Sequence, residues 1–321
     1  MKPNKKRDLK AILILLFSLA VIPFWIGNSH YMMSVLMNCA GLSIIASGVW
    51  LTFSIGRINI GQSGFVLIGA YATAILLSRA NLSYWLVLPL SALFAGVIGL
   101  VIGSAILKLK GIYFSMLTIC LAESIHLAFL NGGSFTLGSM GITDLPQPFQ
   151  TDSAWPMYYL VVALLALAIL VTWRMHYSRL GGIFRAMRLN EDLAESFGVD
   201  VWRYRIVAYA IACSLGGIGG SYLTVLTQSV YPQSFTINDS VYYMLFCFLG
   251  GLGFVSSAMV GAFTLTILFV LLQSFQQYQS LIYGIIMIAV MLVMPNGLMA
   301  LRLPSFGKER RLPSFGKENA K

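Results

Sequence analysis

Residues 84–107 read YWLVLPLSALFAGVIGLVIGSAIL, twenty-four consecutive positions without a charged side chain. As a helix rising 1.5 Å per residue the stretch is about 36 Å long, enough to cross a hydrocarbon layer of about 30 Å. The same signature recurs near 11–27, 32–55, 60–78, 112–130, 157–173, 206–228, 240–253, 255–273 and 280–298. This pattern predicts an all-α integral membrane protein with about ten transmembrane helices. Composition agrees: 58% of the 321 residues are hydrophobic and 10% charged, with mean hydropathy +0.81. A soluble domain holds about 45–50% apolar and about 25% charged residues. Too little polar surface exists here to coat a globule, so apolar side chains must face lipid or other spans.

The basic excess, Lys+Arg 21 against Asp+Glu 11, would point to nucleic acid in a soluble chain. Here the cations lie between or beyond apolar runs, as on a cytoplasmic face, and no nucleic-acid partner is expected. Residues 240–273 form one apolar run interrupted by Gly250-Gly251-Leu252-Gly253, readable as one long helix, a tight hairpin or a re-entrant turn plus a span. With ten spans and both termini cytoplasmic, 20 of the 21 basic residues fall inside and only Arg79 outside. Nine spans would put the six cations after residue 299 outside, so the positive-inside rule favours ten. The basic start, Lys2 to Arg7, resembles the first part of a signal peptide. The stretch after it ends in Ile26-Gly27-Asn28-Ser29 without a small-x-small cleavage site, so an uncleaved first helix is expected. Cys39, Cys120, Cys213 and Cys247 lie in apolar runs without CxxC spacing and read as small buried hydrophobes, with no metal site.

Residues 1–300 form a single membrane domain on this reading. The longest remainders, near 131–156 outside and 174–205 inside, are too short to fold alone. The tail 301–321 is basic and repeats one segment, RLPSFGKE, from Arg302 and again from Arg311. It is either a recent duplication or a strip that rests on anionic lipid. No GxxxxGK[ST] occurs, so the chain has no phosphate-binding loop with which to use ATP and Mg itself.

Glu123 is the only acidic residue inside an expected span, and a carboxyl there must face the bundle interior or water. It either lines a passage or is a hydrogen-bonded packing residue. His126, three positions on, shares its helical face. The segment Ile55-Gly56-Arg57-Ile58-Asn59-Ile60-Gly61-Gln62-Ser63-Gly64 is polar where a helix should start. Irregular backbone at membrane depth survives only against protein or water. Asn59, Gln62 and Ser63 therefore either touch solute or form a plain inside turn. Gly99-x3-Gly103 and Gly216-x3-Gly220 signal close helix contacts.

Within GGIFRAMRLNEDLAESFG (181–198), Asn190 can cap a short helix, Glu191 and Asp192 suit its positive end, and Gly198 can terminate it. Leu193 and Phe197, four apart, give that helix one apolar side. It covers a partner surface, or it rests on its own bundle or on lipid headgroups.

The stretch from Gly182-Ile183-Phe184-Arg185-Ala186 through Asn190 to Gly198, with Ala194 inside it, resembles the coupling loop of permeases in ATP-binding-cassette importers. Five further pieces are similar to branched-chain amino-acid permeases of the LivM type: GQSGFVLIGAY (61–71), LKGIYF (109–114) with Leu117-Thr118, Glu123-Ser124-Ile125, FLGGLG (248–253) and PNGL (295–298). In order, they cover about residues 38–300. The chain departs from the pattern at Gln62, where His is usual, near His126, where Arg is frequent, and over 132–142. The resemblance implies a multi-pass protein of the bacterial plasma membrane that binds no cofactor itself. Its implied partners are ATPase subunits carrying ATP and Mg, a second homologous permease and an extracytoplasmic solute-binding protein. It also implies ATPase coupling through Arg185, Asn190, Glu191, Asp192, Leu193, Ala194, Phe197 and Gly198. The cargo it implies is a branched-chain amino acid, with urea or short amides as the alternative. A proton-coupled secondary transporter using Glu123 is the competing class, opposed by the lack of other intramembrane ionisable groups. A membrane enzyme lacks any His/Asp/Glu cluster near the interface.

Overall fold

A computed structural model of the chain describes residues 5–26, 30–149 and 153–272, with scattered positions between 281 and 298. Eleven α-helices run through the continuous segments. They are α1 (Lys5–Ile26), α2 (His30–Ser54), α3 (Gln62–Ser78), α4 (Tyr84–Ile106), α5 (Ile112–Leu130), α6 (Trp155–Tyr177), α7 (Arg179–Leu189), α8 (Glu191–Ser196), α9 (Val201–Thr227), α10 (Ile237–Gly250) and α11 (Ser257–Leu271). Among the described residues the only β pairing is an isolated bridge between Ile142 and Val230. Five helices, α2, α4, α5, α6 and α9, are long and apolar enough to cross a membrane, and α3 and α11 are shorter apolar helices.

The centre of the bundle is α9, against which α4, α3 and α2 all pack. Its glycines make this crowding feasible. A Cβ at Gly216 would lie 2.6 Å from Gln62 Nε2, and one at Gly217 2.7 Å from Ala95 Cβ. From the α4 side, a Cβ at Gly99 would lie 2.6 Å from Cys213 Cβ, and one at Gly103 2.8 Å from Tyr209 Cδ1. The two glycine pairs flagged by their spacing thus converge on one helix. Without hydrophobic drive between helices in lipid, such close van der Waals approach supplies much of the adhesion.

Several boundaries differ from the hydropathy reading. Helix α1 begins at Lys5 rather than near 11, α6 runs on to Tyr177, and α9 starts at Val201 rather than 206. Hydropathy reports depth in lipid, whereas a helix continues wherever its backbone bonds do. The run 240–273 is two helices, because Gly251 (φ +99) turns the chain where other residues are strained. At 14 residues, α10 is about 21 Å long and shorter than the bilayer core. Cys39, Cys213 and Cys247 are buried as expected, but Cys120 is exposed, since apolarity alone does not separate lipid-facing from helix-facing positions. Most of the expected span 280–298 and all of the tail 301–321 lie outside the described residues.

Overfilling the α3–α4–α9 contact is expected to cost about 1–3 kcal/mol. Gly217→Val should lower the unfolding temperature of detergent-purified protein. Gly182→Ala, at a site with nothing within 4 Å, should leave it unchanged.

Candidate functional site

Between α2 and α3 the chain is non-helical over 55–61, yet Asn59 is fully buried. Protein partners take the place of water around it. The Asn59 side-chain amide donates to Gln62 Oε1 (3.0 Å), and Asn59 Oδ1 accepts from the Gly61 N–H (3.0 Å). Gln62 Nε2 donates to the Ala212 carbonyl on α9 (2.9 Å). Ser240 of α10 accepts from the Ser63 N–H (2.8 Å), and its hydroxyl donates to Ser63 Oγ (2.7 Å). From α5, Ser115 Oγ donates to the Ile58 carbonyl (2.9 Å), and Thr118 Oγ1 accepts from the Ile60 N–H (3.2 Å). Only glycine fits at position 61, because a Cβ there would collide with the Thr118 carbonyl. The broken start of α3 is thus a latch that ties four helices together, and in this conformation Asn59, Gln62 and Ser63 all face protein.

Glu123 and His126 share a face of α5, with His126 Nδ1 3.4 Å from Glu123 Oε1. Ser115 and Thr118 turn inward toward the latch, but the Glu123 side chain is 40% exposed. At the end of the bundle opposite α8, a cavity of about 240 Å³ opens among His30, Ser34, Gln147, Met157 and Leu226.

The segment expected to be an inside loop, 174–205, is mostly helical. Asn190 Oδ1 caps α8 by accepting from the Leu193 N–H (3.1 Å), and Gly198, at φ +79, ends the turn. Glu191 opens α8 and points inward. It accepts a hydrogen bond from Arg205 Nη1 of α9, and its other oxygen lies 3.5 Å from Arg57 Nη2. Both arginines are buried, at 5% and 4% exposure for Arg57 and Arg205. The Arg205 hydrogen bond, outweighing partial burial, holds the Glu191 carboxyl below the usual carboxylate range. Burial lowers the Arg57 guanidinium, with repulsion from Arg205 adding to it. Asp192 meets Lys110 at 3.2 Å on the surface, where solvent makes such a pair weak. Arg185 reaches back to the His176 carbonyl (3.2 Å) and ties α7 to α6.

Ala194 is buried in an apolar cluster with Leu51, Ile55, Phe184, Met187 and Val201. Leu193 and Phe197 project away, at 55% and 80% exposure, and so does Leu189 at 87%. Leu189 belongs to α7, so reading α8 alone passes over it, although its place four residues before Leu193 is a sequence signal. Two further partners come only from the folded chain: Arg57 and Arg205 as the counter-ions of Glu191. Asp8 is a third such residue. It is 1% exposed and accepts from Ser256 Oγ (3.0 Å) and Tyr177 Oη (3.1 Å), joining α1 to α6 and to the start of α11. A lone acid in the basic segment before residue 11 is its one sequence signal.

A multi-pass helical bundle with a broken helix at its polar centre, and a capped helix offering bare apolar side chains at one end, is the architecture of a membrane permease. The sequence model of the family described as branched-chain amino acid transport system / permease component matches residues 31–291, and the chain belongs to that family. It is 26% identical over 276 residues to the high-affinity branched-chain amino acid transport system permease protein LivM of Escherichia coli. That match covers 78% of this chain and 65% of the relative, so the chain spans less than two thirds of that relative's length. Probable branched-chain amino acid transport permease proteins LivM and LivH of Methanocaldococcus jannaschii are 25% and 24% identical. They cover 66% and 80% of this chain, and 68% and 88% of their own lengths. The nucleoside ABC transporter permease protein NupC of Lactococcus lactis is 25% identical, over 63% of this chain and 65% of its own. No solved structure matches.

Because the folded value of Glu191 lies below its ordinary 4.5, its contribution is complete above that pH and is lost as the pH falls through the folded value. Neutralising it leaves two buried cations without their carboxylate. Glu191→Gln is expected to lower amide protection across 191–198 by about tenfold or more at pH 7, equivalent to roughly 1.4 kcal/mol. In the wild type the same loss should appear only on acidification below 4.5, as read by hydrogen exchange corrected for intrinsic rates.

Proposed function

We propose that the chain is the permease subunit of an importer for branched-chain amino acids, energised by ATP hydrolysis in separate ATPase subunits. One observation carries this reading: Leu189 at the end of α7, Leu193 in α8 and Phe197 just after it stand bare around a short helix, α8, that is itself clamped to the bundle. Exposed apolar side chains so grouped fit a partner surface. In this scheme about ten spans place both termini and α8 in the cytoplasm, residues 1–300 form one membrane domain, and 301–321 is a basic tail. ATP and Mg sit on the partner, and this chain binds no cofactor. A second homologous permease completes the pathway, and an extracytoplasmic binding protein delivers solute to the end opposite α8, where the cavity beside His30 opens.

Coupling follows from connectivity. When the nucleotide-bound ATPase dimer closes, α8 moves, and Glu191 carries that movement to α9 through Arg205 and to the 55–61 segment through Arg57. Arg57 lies two residues before Asn59, so the pull reaches the Asn59–Gln62–Ser63–Ser240 latch. The latch is the two-state element: bonded, it closes the centre, and released, it presents amide and hydroxyl groups to a solute. The names of the Escherichia coli and Methanocaldococcus relatives favour a branched-chain amino acid as cargo.

Leu193→Asp and Phe197→Asp are each expected to reduce uptake to background and to release the ATPase subunits on purification, with the chain still present in the membrane. Uptake at the wild-type rate in either variant overturns the reading. Leucine uptake should be competed by isoleucine and valine, and not by urea or a nucleoside. Competition by urea or a nucleoside alone reassigns the cargo.

A further inference from the structure

Helices α10 and α11 are joined through glycine. A Cβ at Gly250 would collide with the Ser257 carbonyl, and one at Gly261 with the Phe246 carbonyl. With side chain-free contacts at two levels, the pair has no room to slide internally and moves as one hairpin. Its turn, 251–256, is closed from outside by Gly297, where a Cβ would strike Gly251.

The two ends of this hairpin have different partners. Ser240, in the first turn of α10, belongs to the latch and is bonded to Ser63. About 15 Å further along the axis, at Gly250, the helix gives way to the turn that meets Asp8 of α1. Asp8 Oδ1 accepts from Ser256 Oγ (3.0 Å), and Oδ2 accepts from the Val255 N–H (3.4 Å) and from Tyr177 Oη (3.1 Å). Asp8 is 1% exposed and, among the described residues, forms no ion pair, so its carboxylate is held by donated hydrogen bonds. Bonds to a charged acceptor are the stronger kind. Between the two ends the hairpin meets α2 through Phe248, edge-on to Phe53 with ring centroids 5.1 Å apart, and through Cys247, whose thiol donates to the Ala46 carbonyl (3.3 Å). A ring edge and a thiol hold the hairpin against α2 but fix its height only weakly. The turn is therefore where the axial position of α10 is set.

We propose that Asp8 is a positioning residue for transport: it pins the α10–α11 turn to α1 and α6, and through the hairpin it sets the height at which Ser240 seats on Ser63. This rests on the latch of the permease reading and adds a second control to it, separate from Glu191. The Glu191 junction acts on α9 and on the 55–61 segment, whereas Asp8 holds the α10 side that receives Ser63. Helix α1 thus does more than anchor the chain. With α6 it supplies the fixed reference against which the latch opens.

The test introduces Ser63→Cys together with Ser240→Cys and follows the rate at which copper phenanthroline joins the two thiols in membranes holding the whole importer, read as the linked peptide by mass spectrometry. Asp8→Ala leaves three buried donors without their acceptor and is expected to slow that rate about tenfold. Uptake by the chain with Ser63 and Ser240 intact should fall with it. Asp8→Asn is expected to restore both, since an amide of the same shape can accept from Tyr177 and Val255 through its oxygen and donate to Ser256 Oγ. An unchanged rate or wild-type uptake in Asp8→Ala, or an equal loss in Asp8→Asn, overturns the assignment. Amide protection across 191–198 should stay at the wild-type level, because a different junction holds that segment. A parallel fall there would make Asp8 a support of the whole fold and defeat the proposal. Should Asp8→Ala fail to reach the membrane, Ser256→Ala removes one donor and should slow the disulfide in the same direction, and no change overturns the role. The ATP dependence of uptake in the unsubstituted chain tests the permease reading separately. Its absence would defeat that reading and leave the cross-link comparison standing.

Discussion

One carboxylate, Glu191, meets two buried arginines that arrive from different parts of the chain, and the proposed coupling depends on that junction. A buried guanidinium without a counter-ion is expensive, so Arg57 and Arg205 hold the first turn of α8 wherever the bundle carries it. The same junction leaves the other side of α8 free. Ala194 packs inward against Phe184 and Val201, while Leu193 and Phe197 face outward. A helix fixed through its acidic end and bare along its apolar side is suited to being pushed. An isolated helix of six residues has no stability of its own, so the junction, the Asn190 cap and the Gly198 stop together define it.

The second constraint is tight packing around α9. Because α3 and α4 approach it through glycines, small displacements of α9 cannot be absorbed locally and must shift the neighbours. Gln62 couples directly to the Ala212 carbonyl, so movement of α9 relative to α3 strains the bond that closes the polar centre. The irregular 55–61 segment is tolerated inside the bundle because α5 supplies hydroxyl partners to its backbone. In the permease reading, the pieces that look like imperfections, a broken helix start and a buried ionic knot, are the moving parts.

Much of this is legible in sequence, for identifiable reasons. Twenty apolar residues without a charge have few alternatives to a buried or spanning helix, so the long helices lie at nearly their expected places. The α8 cap is local chemistry: Asn190 reaches only three residues ahead, and Gly198 is needed where φ is positive. What escapes is tertiary. Nothing near Arg57 or Arg205 reveals that they share Glu191, and Asp8 looks like one more residue of a charged terminus until Tyr177 and Ser256 close around it. Asn59, Gln62 and Ser63 are recognisable as polar residues at a helix break, but not as a bonded latch, because their partners Ala212 and Ser240 lie far along the chain. Cys120 misleads because an exposed thiol and a buried one have the same neighbours in sequence.

The most direct test of the junction is the number of solute molecules moved per ATP hydrolysed by the reconstituted importer carrying Glu191→Gln. If Glu191 transmits the motor's stroke, the ATPase stays bound and hydrolyses ATP while the ratio falls well below that of the wild type. A ratio equal to the wild type, with assembly intact, would show that force enters the bundle elsewhere.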